Sequence, residues 1–295
     1  MDWQTLTQPL SEALGQTVTL VSASPVSGGD IHQAAHLHTS AGDFFVKSNH
    51  GDQLALFETE ADSLNRLQAT GSIQTPKVIA VGCQNHQAWL ILNWLPMRAQ
   101  GDDYQRGKDL ALLHHQVNPS GDFGWHQDNY IGHTLQPNGW DTDWVRFYGQ
   151  KRLRHQIDLA LEAGAGAQLD QLGQTLIDQL DGFFTNYQPE ASPLHGDLWA
   201  GNSAFDSDGD PVFFDPASYY GDREADIAMT ELFGGYSADF YRGYNEVFPL
   251  DAGYQQRKPL YNLYHVLNHF NLFGGHYQRQ AMTMIQGLLD SLERP

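Results

Sequence analysis

The residues best suited to carry out chemistry are HGDLWAGN at 195–202, followed by SAFDSDGDPVFF and then Asp215. Phosphoryl transfer needs a carboxylate that orients the attacking hydroxyl and oxygen ligands that hold Mg²⁺ on the phosphates, because positioning and charge stabilisation carry its catalysis. We therefore predict that Asp197 is the catalytic base and that Asn202 and Asp215 bind the metal. The alternative is that Asp197 and Asn202 only cap a turn, as short polar side chains often do.

A lysine and a glutamate upstream of this stretch indicate a second site, one that binds the phosphates of a nucleotide. Placing residues at about 100° per step from Leu54 puts Glu60 at about 240°, inside the apolar stripe of a predicted helix, and Glu58 at about 40°, outside it. A carboxylate on a buried face is costly unless paired, and the nearest candidate is Lys47. We predict a Lys47–Glu60 pair in which Lys47 holds the α- and β-phosphates of a nucleotide. A purely structural ion pair and a partly exposed Glu60 are the alternatives.

Two more segments are predicted to contact the nucleotide. Gly28 and Gly29 lie between the first two predicted strands and could bring backbone N–H groups close to phosphates, although glycine pairs usually only make turns. Asn93, Trp94 and Leu95 end the last strand of the first predicted lobe. They would offer backbone groups to the edge of an adenine, an assignment that depends wholly on the fold.

The elements that must position these residues divide the chain in two. Residues 1–95 are predicted to form a nucleotide-binding lobe with a short helix at 3–14, a five-stranded antiparallel sheet and one helix at 52–70. Residues 96–103 are the predicted linker, and 104–295 the mainly helical catalytic and substrate lobe. Within that lobe, the predicted strands lie only around 203–214. The fold class is therefore α+β, with a cleft expected between two lobes.

Composition excludes several partners. The chain has 16 Lys and Arg against 35 Asp and Glu, a net charge of −19, so nucleic acid and anionic membranes are unfavourable partners. The same field repels a triphosphate, so a nucleotide needs Mg²⁺ and local cations. Cys83 is the only cysteine, which excludes an internal disulfide and predicts a small buried side chain. No membrane-spanning or targeting segment is recognised, and a cytoplasmic protein is expected.

Other metal chemistry is not supported by the spacing of the histidines and acids. The 14 histidines include no HExxH pattern, and His32, His36 and His38 are predicted to be surface groups. The run Asp206, Asp208 and Asp210 lacks the glutamate that a calcium loop requires in its twelfth place, and predicts a hairpin turn. A metal-dependent hydrolase is therefore disfavoured.

Taken together, the chain resembles the fructosamine and ribulosamine (ketosamine) 3-kinases, in the aminoglycoside-phosphotransferase-like branch of the protein-kinase-like fold. The motifs that carry this resemblance are Gly28-Gly29, FFVK at 44–47, LFETEADSL at 56–64, FGWHQDNYIG at 123–132, LHGDLWAGN at 194–202, FFDPASYYGDREADIAM at 213–229 and ELFGG at 231–235. The resemblance implies that ATP, with Mg²⁺, phosphorylates the 3-hydroxyl of a sugar attached to an amine. The unstable product then releases the amine, which repairs glycated molecules.

The resemblance also implies roles for single residues. It gives Asp197, Asn202, Asp215, Lys47 and Glu60 the functions predicted above. Trp199 is the candidate contact to the sugar or its carrier, with a packed core tryptophan as the alternative. Asp226 is expected to brace the catalytic loop by hydrogen bonding to its backbone. Some relatives carry a redox-active cysteine in the glycine-rich loop where this chain has Asp30, so that switch is not carried over.

The sequence leaves the preferred ketosamine open, and with it the choice between a free amine and a glycated protein lysine. A monomer is favoured. Two other functions stay open: a kinase of another amino sugar or aminoglycoside, and a nucleotide-binding pseudokinase that acts as a scaffold.

Overall fold

Thirteen strands and ten α-helices are present in the computed structural model, which describes residues 2–26 and 32–293. The strands are β1 (Leu20–Pro25), β2 (Gln33–Thr39), β3 (Gly42–His50), β4 (Val78–Gln84), β5 (Gln87–Asn93), β6 (Phe123–Trp125), β7 (Asn129–Ile131), β8 (Thr134–Gln136), β9 (Gly139–Asp141), β10 (Ser192–Leu194), β11 (Ser203–Phe205), β12 (Pro211–Phe213) and β13 (Tyr219–Gly221). The helices are α1 (Thr7–Leu14), α2 (Leu54–Ala69), α3 (Asp103–His114), α4 (Trp144–Phe147), α5 (His155–Glu162), α6 (Ala167–Asp178), α7 (Glu224–Leu232), α8 (Ala238–Val247), α9 (Tyr254–Phe273) and α10 (Tyr277–Leu292). The chain divides into two units, Met1–Asp102 with Ser203–Pro216 and Asp103–Asn202 with Ala217–Pro295.

The first unit is built on the predicted five-stranded sheet, in the order β1-β2-β3-β5-β4 with every pair antiparallel. Side chains alternate between the two faces of such a sheet. On one face Val46 belongs to the same apolar cluster as Leu10 of α1, and on the other Leu90 clusters with Phe57 of α2. The apolar stripe predicted for α2 is therefore buried, and Lys47 lies on the face that α2 covers.

The turn between β4 and β5 fixes the register of these two strands. Asn85 and His86, its two central residues, both have positive φ, 51° and 60°. This backbone is the one that two-residue antiparallel hairpins favour, because its twist matches that of the strands. Gln84 consequently pairs with Gln87. On its other edge β5 pairs with β3, and there Leu90 lies opposite Lys47.

The second unit is mainly helical, as predicted, but the expectation that its strands lie only around 203–214 is wrong. The β11–β12 hairpin is present there and groups with the first unit. The second unit has its own four-stranded sheet, in the order β10-β13-β6-β9, and the β7–β8 pair. Each of these strands has three residues, too few for an alternating pattern to stand out, and β10 pairs with β13 across a long stretch of chain. Pairing between distant segments therefore decides β10 and β13, whereas β7 and β8 form a local hairpin.

Cys83 is also placed differently from the prediction, because its side chain is exposed. It lies near the end of β4, the edge strand of the first sheet, just before the β4–β5 turn, and it is the one exposed residue of that strand. Within the described ranges, no helix combines the length and the apolar character needed to cross a lipid bilayer.

Candidate active site

Three charged side chains of the first unit form one cluster. Lys47 Nζ lies 2.8 Å from Glu60 Oε1 and 2.5 Å from Asp215 Oδ1. The side chains of Lys47 and Glu60 are 9% and 13% exposed, whereas that of Asp215 is 43% exposed. The ion pair predicted from the helical period is confirmed. Lys47 and Asp215 were both assigned to the nucleotide and its metal, but their direct contact, across 168 positions, was not predicted.

Burial and charge act in opposite directions on this cluster. Burial lowers the pKa of Lys47, but the carboxylates of Asp215 and Glu60 outweigh it and hold that pKa above its ordinary value. Burial raises the pKa of Glu60, against the opposing effect of the Lys47 ammonium. Lys47 is therefore a cation throughout the physiological range, positioned by carboxylates and suited to bind phosphate oxygens.

Asp215 has an unusual backbone conformation. Its φ is +57°, in the left-handed region that non-glycine residues seldom adopt. Aspartate tolerates this region better than most residues, and such outliers concentrate at functional sites. A glycine would relieve the conformation, but it would remove the carboxylate. The strained backbone is therefore retained together with the carboxylate, which indicates that this carboxylate has a function.

In the second unit, Asp226 braces the loop that carries Asp197. Its carboxylate accepts hydrogen bonds from the backbone N–H groups of His195 (2.7 Å) and Gly196 (2.9 Å). Asp226 is buried in α7, so these bonds replace the water that its carboxylate would otherwise bind. The predicted brace is confirmed.

A buried histidine supports the same carboxylate. His114 Nε2 lies 3.2 Å from Asp226 Oδ2, and Nδ1 lies 2.8 Å from the hydroxyl of Tyr244. Burial lowers the pKa of His114, so the neutral ring donates to Asp226 and accepts from Tyr244. Burial raises the pKa of Asp226, but the bonds from His114 and the loop outweigh it and hold this pKa below its ordinary value.

Gly196 is required by the close approach of another segment to the loop. Its φ is +85°, and a Cβ at this position would lie 2.0 Å from the carbonyl oxygen of Ala217. The N–H of Ala217 donates to the carbonyl of His195 at 2.9 Å. Any side chain at position 196 would therefore separate two segments that are hydrogen bonded to each other.

Asp197 and Asn202 face each other across the loop. The Asn202 amide Nδ2 donates to the Asp197 backbone oxygen at 2.8 Å and to its Oδ2 at 3.2 Å. Asp197 is half-buried, whereas Asn202 is almost fully buried. The structure thus brings together two of the predicted site residues in this unit. The bond from the Asn202 amide holds the carboxylate of Asp197 in place.

Trp199 is 42% exposed, so the alternative of a packed core tryptophan is wrong. Its ring covers Gly201, where a Cβ would lie 2.2 Å from the nearest ring atom. Its carbonyl accepts a hydrogen bond from the hydroxyl of Tyr236 at 3.3 Å. The exposed indole, two residues from Asp197 in the chain, therefore packs on the backbone of its own loop at Gly201.

Two backbone N–H groups of the segment at 93–95 are hydrogen bonded within the first unit. The N–H of Asn93 donates to the carbonyl of Lys77 at 3.0 Å, and that of Trp94 to the carbonyl of Asp43 at 3.2 Å. The prediction that this segment contacts an adenine therefore rests on its carbonyl groups and on the N–H of Leu95. The predicted phosphate contacts, Gly28 and Gly29, lie outside the described residues.

Sequence reasoning missed a set of amides that anchor the chain just beyond Asp215. Asn129 donates to the carbonyl of Ser218 at 2.8 Å, and Gln136 donates to the carbonyl of Ala217 at 3.0 Å. The hydroxyl of Tyr264 donates to Gln136 Oε1 at 2.7 Å. Asn129 lies in the motif at 123–132, but a motif does not say which distant carbonyl an amide binds.

The hairpin acids do not form a metal site. Asp206 Oδ1 accepts from the N–H groups of Asp208 (2.9 Å) and Asp210 (3.0 Å), which confirms the predicted turn. Across residues 2–26 and 32–293, no group of three or more His, Cys, Asp or Glu side chains is arranged to hold a metal ion.

Comparisons with known proteins agree with the predicted family. Residues 2–291 match the family model described as Fructosamine kinase. A probable ketoamine kinase from Synechocystis is 44% identical over 289 residues, 97% of each chain. A chloroplastic protein-ribulosamine 3-kinase from Arabidopsis thaliana is 40% identical over 281 residues, 95% of this chain and 86% of that protein.

Solved structures show the same fold. A Haemophilus somnus protein assigned as a fructosamine-3-kinase matches with a TM-score of 0.88 and 29% identity over 97% of both chains. An aminoglycoside phosphotransferase, crystallised with AMP-PNP and hygromycin B, matches with a TM-score of 0.62 at 15% identity over 97% of this chain and 98% of that chain, a likeness of fold alone. The fold is thus the predicted α+β, two-lobed, kinase-like one. This chain belongs to the fructosamine kinase family and is a phosphotransferase of the ketosamine 3-kinase type.

Proposed function

We propose that this enzyme transfers the γ-phosphoryl group of ATP to the 3-hydroxyl of a ketosamine, whose unstable 3-phosphate then releases the amine and so reverses glycation. The observation that carries the proposal is the Asp197 carboxylate, held by the Asn202 amide on a loop that Asp226 anchors. A carboxylate fixed in this way can orient an acceptor hydroxyl and take its proton. The names of the relatives, ketoamine kinase and protein-ribulosamine 3-kinase, support a ketosamine as the acceptor.

In the proposed reaction, the 3-hydroxyl oxygen forms a bond to the γ-phosphorus while the bond from this phosphorus to the β–γ bridging oxygen breaks. ADP leaves with the electron pair of that bond, and the hydroxyl proton passes to the carboxylate of Asp197. Because little covalent chemistry is required of the protein, its task is to align the hydroxyl and to stabilise the charge on the phosphates.

The nucleotide is proposed to contact the first unit. Lys47, positioned by Glu60, would bind the α- and β-phosphates, because it is a buried cation with a fixed geometry. The backbone at 93–95 would contact the adenine, and Gly28 with Gly29 would approach the phosphates. These roles rest on the family resemblance together with the charge cluster.

Asn202 and Asp215 are proposed to hold Mg²⁺. Their amide and carboxylate oxygens are the hard donors that this ion prefers, so the donor set fits it. When bound, Mg²⁺ would neutralise part of the charge on the β- and γ-phosphates. Lys47 and Asp215 at present neutralise each other at 2.5 Å. Binding of the metal nucleotide would give each of them a new partner of opposite charge.

Trp199 is proposed to contact the sugar or its carrier, since its indole is exposed beside the base. An open indole accommodates either a free amine or a protein lysine as the carrier, and the Arabidopsis relative's name favours the protein-bound form.

We also propose that the enzyme acts as a monomer, which light scattering would test. A cytoplasmic location stays a prediction.

The deciding experiment is a product-resolved assay of ATP consumption with the full chain. Acceptors would be ribulosyl-lysine, fructosyl-lysine, a peptide that contains ribulosyl-lysine, and kanamycin, with phosphorylated products identified by mass spectrometry. We expect turnover of at least one ketosamine. Asp197→Ala should lower kcat by about 10³-fold with little change in ATP affinity, because the base contacts the acceptor and not the nucleotide. Asp208→Ala, which removes an exposed acid of the β11–β12 hairpin, is the matched control.

Other outcomes would replace parts of the proposal. Phosphorylation of kanamycin without any ketosamine product would move the substrate class to aminoglycosides. Binding of ATP with no turnover of any acceptor would favour the scaffold. A kcat near wild type in Asp197→Ala would show that this residue is not the base.

A further inference from the structure

A stacked pair of rings lies on the same face of the first-unit sheet as Lys47. His36 pairs with Phe45 in the β2–β3 register, and Lys47 lies two residues further along β3. Because residues two apart in a strand share a face, His36 and Lys47 lie on one face, about 7 Å apart along the strand direction. The expectation that His36 is simply a surface group therefore overlooks its position, since it is half-buried beside the proposed phosphate-binding lysine.

The partner of His36 is Trp94. Their ring centroids are 3.9 Å apart and their planes are inclined by 16°, so the imidazole and the indole are stacked. Trp94 is the middle residue of the segment proposed to contact adenine. Both side chains are half-buried, so each combines protein contact with access from outside.

The imidazole of His36 is also held at its edge. Its Nε2 lies 3.0 Å from Asp43 Oδ1, the same oxygen that lies 2.7 Å from Nδ1 of His38. Rotating the His36 ring would break this hydrogen bond as well as the stack. The ring is therefore preorganised, which lowers the entropy lost when a ligand binds to it.

The backbone near Trp94 gives a reason why such a ring pair would matter. The N–H groups of Asn93 and Trp94 are already used inside the unit, so two of the donors that could have recognised a base are engaged. Flat aromatic rings bind nucleobases by stacking, without requiring hydrogen-bond donors. A fixed ring pair beside this segment would therefore bind the base by stacking, which the N–H groups already used inside the unit cannot replace with hydrogen bonds.

We infer that His36 is a nucleotide-contacting residue, and that the purine of ATP packs on the His36–Trp94 ring pair held by Asp43. This inference rests on the proposed nucleotide site, because it places the base on the Lys47 face of the sheet, next to residues 93–95. It adds a residue of β2 to the residues that contact the base. It also means that the base contributes to the affinity for ATP mainly by stacking.

The test separates the base from the phosphates. Calorimetric titrations of the full chain, without an acceptor, would measure the affinities for Mg·ATP and for Mg·tripolyphosphate, which has no base. His36→Ala should weaken ATP binding about tenfold and leave tripolyphosphate binding unchanged, because only the stacking is lost. His38→Ala is the matched control: it removes the other imidazole bound to Asp43 and should change neither affinity. His36→Phe keeps a ring and should recover most of the ATP affinity.

Two results would overturn the inference while leaving the proposed function intact: unchanged ATP affinity in His36→Ala, or equal weakening of ATP and tripolyphosphate, which would indicate a structural role. Failure of His36→Phe to recover any affinity would also count against stacking. Wild-type protein that binds tripolyphosphate but not ATP would overturn both the inference and the proposed function.

Discussion

Lys47 in the first unit and Asp197 in the second are held in place by different kinds of contact. Lys47 is held by two carboxylates, those of Glu60 and Asp215. Asp197 lies on a loop whose backbone N–H groups are bound by Asp226. The first arrangement consists of opposite charges that can exchange partners, whereas the second consists of hydrogen bonds to the main chain that have no reason to change during a reaction.

The difference matches the work proposed for each region. A cation that binds phosphates must exchange one anion for another, and a charge cluster allows this at a small net cost, because the charge of Lys47 is neutralised before and after binding. A base must keep one position relative to the acceptor hydroxyl, and misplacement by about 1 Å can cost about 10²-fold in rate. Backbone anchoring by a buried carboxylate supplies that rigidity.

The largest effect that this comparison predicts is that of losing the anchor. Asp226→Ala should lower kcat by about 10²-fold with the KM for ATP near wild type, because the loop loses its register while the Lys47 cluster is untouched. Steady-state kinetics would check this. Asp226→Asn keeps one acceptor oxygen for the loop and should recover part of the rate. A parallel rise in the KM for ATP would instead indicate general loss of structure.

A smaller effect is expected from loosening the charge cluster. Glu60→Gln should raise the KM for ATP about tenfold and increase the Mg²⁺ concentration needed for half-maximal rate, because Lys47 would then pair more strongly with Asp215 alone. The matched control is Glu58→Gln, which removes the same charge from an exposed position on the same helix. Equal kinetics in the two variants would contradict the role given to Glu60.

How much of this arrangement is visible in the sequence depends on the distance between partners along the chain. Glu60 was found because a helix repeats every 3.6 residues, and its pairing with Lys47 spans only 13 positions. The contact of Lys47 with Asp215 spans 168 positions, and that of Gln136 with Ala217 spans 81. No local pattern encodes such pairs, because tertiary packing of many elements brings them together. The pairing of β13 with β10 and β6 was missed for the same reason, whereas β7 and β8 are neighbours in the chain and are too short to show a pattern.

The smallest effect is expected in stability, and it tests whether the second unit depends on neutral buried groups. Burial lowers the pKa of His265, in α9, to about 3 from an ordinary value of 6.5. Below that ordinary value the unfolded chain binds a proton that the folded chain does not, so this residue should reduce the free energy of unfolding as pH falls, by about 1 kcal/mol between pH 6.5 and 5.5. Urea titrations at both pH values should show that loss in the wild type and a loss about 1 kcal/mol smaller in His265→Phe, which cannot titrate. His276→Phe, which replaces a histidine without that burial, should keep the wild-type difference. An identical pH dependence in all three proteins would mean that the buried imidazole of His265 does not limit the acid stability of this unit.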